Sequence, residues 1–222
     1  MKTLPLLICA VLLGSVTVAS PLRAAQAVQP IVKGDVASRV QALNALLAEQ
    51  WQYTLKNSPE FATTLGDLRY NDRWTDASLG HQAVDHQATE DFLKRFEAID
   101  TRGFADSDKL NQQLMVRRLK DQLRGDQLKL YEMPLDQMSG VHIALAGFVS
   151  SIPFHNTKEY EDYLARLQAV PKLFDQVTEV ARQGMRDKMM PPKYLLEKVV
   201  TQIGSIEKPA GMDSVFAEPL KH

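Results

Sequence analysis

From Asp35 onward the apolar residues recur every three or four positions, the spacing of one face of an α-helix, and this commits the chain to an all-α fold. Val36, Val40, Leu43, Leu47, Trp51 and Leu55 make the first stripe, with Asp35 placed to cap it. It should end before Pro59, where Ser58 and Pro59 offer a fresh helix start and Gly66 a stop. Asp67 to Ser78 is polar with interspersed aromatics and has no period, which predicts an ordered loop. Val84, Ala88, Phe92, Phe96 and Ile99 define the next helix, ending near Gly103, and Ser107 should cap another through Leu110, Leu114, Met115, Leu119 and Leu123 to Gly125. Asn156 and Glu159 have capping-box spacing ahead of an inward stripe of Tyr160, Tyr163, Leu164, Leu167 and Val170. Pro171 should open a separate helix with Phe174, Val177 and Ala181 inward, and Pro191-Pro192 another with Leu195, Val199 and Ile203 inward. After Gly204 the pattern fades. No motif recurs at solenoid length, so the helices form an irregular multi-helix array rather than a repeat.

Between Asp126 and Phe154 the helical period breaks down, and Pro134, Gly140, Gly147 and Pro153 appear. Leu128 to Leu135 could be extended, and Gln137 to Phe154 is apolar without being amphipathic, which predicts buried loop or short helix. Such a segment is either a plain core crossing, the commoner case, or the lining of a functional site.

Residues 1–27 read as an address rather than as structure. Lys2 is followed by an apolar run from Leu4 to about Val18 and by Ala25-Gln26-Ala27, the order of a secretory signal peptide. A membrane anchor is the runner-up, but the run is shorter than the ~20 residues of a spanning helix and Pro21 follows it. Cys9 could serve a lipoprotein signal, but Ile8 stands where a small residue is needed. The expected layout is therefore a signal at 1–27, a linker at 28–34 and a helical domain at 35–222, in a protein exported to the periplasm or secreted, with no stable membrane anchor once the signal is cleaved. Cleavage would remove Lys2 and Arg23 and take Lys+Arg from 26 to 24 against 27 Asp+Glu. That mild acidity gives no basic field for nucleic acid. It would also remove the one cysteine, leaving no disulfide, thiol nucleophile or thiolate metal ligand.

Catalytic signatures are scarce. There is no His-Glu dipeptide for a helical zinc site, no G-x-S-x-G elbow and no phosphate loop. Ser205-Ile206-Glu207-Lys208 is a lone S-x-x-K without its partner motifs. His81 and His86 lie about 140° apart on a helix, which fits solvent-facing side chains better than a shared ligand. Glu161 and Asp162 read as a solvated face between Tyr160 and Tyr163. The residues that could line a cleft are Tyr131, Gln137, His142 and Tyr160, polar tips set in apolar sequence. The alternative is that each satisfies a buried backbone group.

Five stretches in order, SPEFATTLGDLRYNDRWTD (58–76), SDKLNQQLMVRRL (107–119), LYEMPLDQMSGVH (130–142), IPFHNTKEYEDYLARL (152–167) and MPPKYLLEKVVTQI (190–203), resemble the N-terminal part of the bacterial family called domain of unknown function 885, DUF885. The resemblance implies a larger all-helical fold with a deep channel, similar to helical zinc peptidases of the carboxypeptidase Taq and oligopeptidase type. It also implies a peptide or other small substrate, and a zinc held by a His-Glu pair followed by Pro-Gly-His in a later half. Neither motif occurs in these 222 residues. No catalytic or metal residue is therefore carried to any position, and no cofactor is expected in this chain itself. What carries over is a role as channel wall, for 130–142 and 152–167. The resemblance thus implies the front portion of a longer hydrolase, inactive alone; a non-catalytic periplasmic binding or scaffold module is the alternative.

Overall fold

The computed structural model describes residues 34–221. The expected signal, and the linker up to residue 33, lie outside them. Among the described residues there are seven α-helices, several short 3-10 segments and no strand.

The first half is built by three long helices. α1 (Val36–Asn57) starts where Asp35 accepts a hydrogen bond from the Ser38 N–H at 2.8 Å. α2 (Pro59–Thr64) is one short turn pair. Its exit needs Gly66, at φ +84°, a conformation that costs glycine nothing. α3 (Leu79–Glu97) is capped by the Ser78 hydroxyl, and α4 (Asp106–Gln127) returns beside it. Leu43, Leu46, Phe92, Phe96, Phe104 and Leu119 form the core of this half. Leu43 and Phe96 have no exposed surface, and burial of each stabilises by about 2–3 kcal/mol.

The second half is less regular. α5 (Val141–Phe148), α6 (Thr157–Asp187) and α7 (Lys193–Glu207) enclose two smaller clusters, around Leu145, Leu173 and Val177 and around Val149, Ile152 and Tyr163. Phe216, from the 3-10 segment Val215–Leu220, packs against both, and its carbonyl accepts the Tyr163 O–H at 2.8 Å.

Several expectations are corrected. α6 runs unbroken through Pro171 for 31 residues. Pro171 faces solvent, so its missing N–H costs little, and buried Tyr163 and Arg166 before it and Leu173, Val177 and Val180 after it hold both segments on the core. α4 passes Gly125 and stops at Lys129, which adopts the left-handed conformation (φ 55°). It starts at Ala105 rather than Ser107, with Asp106 and Asp108 placed against the positive end of the helix. Leu130 to Glu132 is a 3-10 turn, not extended chain. Val84, Leu110, Leu114 and Leu164, expected inward, are more than half exposed. Asp162 is buried, its carboxylate held by Lys158 one turn back, while Glu161 is exposed as expected.

Candidate functional site

α1, α3 and α4 turn polar residues toward one another above Phe92 and Leu119, and α6 closes the side with Val177 and Val180. Between them is a cavity of about 330 Å³. Asp85 is its electrostatic centre. It accepts the Tyr53 O–H at 3.0 Å and the Gln122 Nε2–H at 2.9 Å, so one carboxylate on α3 ties α1 to α4. Burial, with that carboxylate adjacent, pushes the Tyr53 phenol well above its ordinary range and keeps it a neutral donor.

The other amides of the wall are committed in the same sense. Asn57 Nδ2 donates to the Tyr53 carbonyl at 2.9 Å, Gln50 Nε2 to Thr54 Oγ1 at 3.0 Å, and Gln82 Nε2 to Asp126 Oδ1 at 3.0 Å. Asp76, at the rim, is partly desolvated, yet the Ser78 N–H holds it below the usual carboxylate range. His81 lines the cavity, and His86 reaches across to Asp126 with its Nδ1 2.9 Å from the carboxylate. Neither is simply solvent-facing, because α4 packs along this side of α3. The Ser78 hydroxyl accepts the His81 backbone N–H, and no Ser or Thr hydroxyl of the wall is hydrogen-bonded to the His81 imidazole. The arrangement is equipped for hydrogen-bonded recognition.

The four residues singled out from sequence fall in three places. Tyr131 lines this cavity beside Pro134. Burial, reinforced by Glu132, raises its phenol above the ordinary range. Gln137 and His142 meet elsewhere, through Gln202 of α7: His142 Nε2 lies 3.1 Å from Gln202 Oε1, and Gln202 Nε2 donates to the Gln137 carbonyl at 3.1 Å. His142 Nδ1 and Gln137 Oε1 are buried without partners. Tyr160 stacks on Phe154 at 4.9 Å and points its hydroxyl to the Pro219 carbonyl at 3.5 Å. The structure thus brings together two of the four and gives Tyr131 and Tyr160 separate surroundings.

Sequence reasoning missed Arg166. Wholly buried, it donates from Nε to the Arg73 carbonyl (3.0 Å), from Nη1 to Asn71 Oδ1 (3.2 Å) and from Nη2 to Thr63 Oγ1 (2.9 Å). Its guanidinium stacks over Phe148 and Trp74, and Trp74 Nε1 donates to the Arg166 carbonyl at 2.7 Å. Burial pushes it down to about 10, so it stays charged at neutral pH. It organises the 67–78 loop that forms one wall of the cavity. The signal was its place three residues after Tyr163, on the inward side of α6.

Residues 59–222 match the family described as "Bacterial protein of unknown function (DUF885)". The chain belongs to DUF885. No curated protein matches it. The zinc implied by the resemblance finds no fitting ligand set here, since no three His, Cys, Asp or Glu side chains converge among the described residues of this DUF885 chain. His86 does meet two carboxylates, Asp126 at 2.9 Å and Glu90 at 3.8 Å, but they address opposite ring nitrogens rather than one point.

Proposed function

We propose that this chain is a helical wall of an exported, metallopeptidase-like hydrolase whose metal-binding residues lie in sequence beyond it. The observation that carries this reading is α7. Of its fifteen residues only Val199 is buried, while Tyr194 and Val200 are 61% and 71% exposed, as in a helix lacking the partner for one of its faces. In this role the 130–142 and 152–167 stretches face a peptide or other small substrate, the open face of α7 packs on the completing segment, and the acid–base chemistry belongs to that segment. Export is supported by the order of Lys2, the Leu4–Val18 run and Ala25-Gln26-Ala27. No helix among the described residues is long and apolar enough to cross a membrane.

Reading the genomic frame past His222 tests the proposal. The expected result is continuation into a helix-rich segment with His-Glu and Pro-Gly-His; an immediate stop codon, or stoichiometric zinc on the purified chain, overturns it. The polar cavity between α1, α3 and α4 favours a second reading, a periplasmic binding module, because it is built wholly from residues of this chain.

A further inference from the structure

The cavity has a directional bias in its hydrogen bonding. Asn57, Gln82 and Gln122 each turn the amide nitrogen onto a group that can only accept, a carbonyl or a carboxylate, and this fixes which end of each amide is nitrogen. The opposite ends, three amide oxygens, have no hydrogen-bond partner, and none of them is shut away from solvent. Gln50 follows the same pattern through Thr54. Asp85 stands among them with one donor on each oxygen, leaving further lone pairs free. The amide oxygens and Asp85 therefore offer acceptors and negative charge to a donor ligand, while Arg118, His81 and Tyr131 carry the unpaired donors of the wall.

We propose that the cavity between α1, α3 and α4 binds a primary ammonium group, held by Asp85 and the amide oxygens of Asn57, Gln82 and Gln122. An alkylammonium carries three N–H donors, one positive charge and no acceptor, which matches this lining. Phe92 and Leu119 take the carbon attached to it. A volume of about 330 Å³ suits the terminus of a short chain rather than a large molecule. Arg118 sits exposed on the rim without an ion-pair partner and marks the outer end, where a second, acidic group of the ligand would lie. The proposal holds whether the chain is a wall of a larger hydrolase or a module of its own, because every group it uses is among the described residues. The ammonium can come from a peptide amino terminus or from a free aliphatic amine.

Calorimetric titration of the full chain with dialanine, N-acetyl-dialanine and putrescine decides the matter. Saturable binding of dialanine that acetylation abolishes is the expected result. Putrescine binding as tightly as dialanine assigns the site to free amines, and its failure beside dialanine assigns it to peptide termini. Asp85→Asn should weaken the bound amine by about tenfold or more. Because Asp85 also braces Tyr53 and Gln122, Arg118→Gln serves as the independent arm. It removes an exposed, unpaired like charge and should tighten putrescine about two- to threefold. Weaker putrescine binding in Arg118→Gln, equal binding of the acetylated dipeptide, or no saturable binding of either amine overturns the proposal.

Discussion

Arg166 and His142 are both polar side chains sealed inside the protein, yet they are accommodated in opposite ways. Arg166 spreads its donors over Arg73, Asn71, Thr63 and Tyr70 and covers its faces with Trp74 and Phe148. His142 has one partner, Gln202, and a ring nitrogen with none, in a knot where Gln137 Oε1 is also orphaned. A buried charge with a partner at every nitrogen can anchor a fold, whereas an imidazole with a partner at only one nitrogen is a weak point, since each orphan costs about 1–3 kcal/mol. The contrast follows the molecule's layout: the first sits where α2, the 67–78 loop and α6 meet, the second where α7 is attached.

The heaviest blow to this contrast is Arg166→Ala. It strips partners from two backbone carbonyls and from Asn71 and should destabilise by about 3–5 kcal/mol in urea unfolding; a loss below about 1 kcal/mol would show that the guanidinium network carries no more than the histidine knot. Alkaline titration comes next. Burial raises the Tyr163 phenol to about 12, above the roughly 10 of an unfolded chain. Its stabilising contribution is therefore complete below pH ~10 and is lost as pH rises through ~12. Of the six tyrosines, Tyr53, Tyr131 and Tyr163 should ionise late in tyrosinate absorbance, and late ionisation should vanish in denaturant.

The double substitution His142→Phe with Gln202→Leu tests the weak side. The pair deletes the orphaned Nδ1 but also the Gln202 donor to the Gln137 carbonyl, so it should stay within about 1 kcal/mol of neutral, while His142→Phe alone strands Gln202 Oε1 and should be the less stable of the two. Smallest is Lys188→Gly, which relieves a left-handed residue (φ 62°) with an exposed side chain and should raise stability by about 0.5–1 kcal/mol. Lys129→Gly relieves the same backbone conformation but removes the ion pair to Asp187, so it should gain less.

The helices and the capping contacts of Asp35 and Asn156 were legible because they are local: the apolar repeat and the cap lie within a few residues of each other. The all-α class followed from that alone. Pro171 misled because local proline chemistry was outweighed by packing on both sides of it. Tyr131, one of the four residues singled out, falls on the cavity wall without the other three, and Asp85, Asn57, Gln82 and Gln122 carry no mark in the sequence that sets them apart. They stand on polar positions of three separate helices, and only packing turns those positions toward one another. Arg166 stayed hidden for the same reason, since nothing near it in sequence announces its partners.

The arginine's partners also impose an order of events. Its hydrogen bonds, and that from Trp74, join residues 92 to 103 positions apart. During synthesis, Thr63, Asn71 and Trp74 leave the ribosome long before α6 exists, so the loop they form waits for the second half of the chain to supply its anchor. A growing chain stopped after α4 has its main apolar core but an unsettled cavity wall, which makes ligand binding one of the last properties this protein acquires.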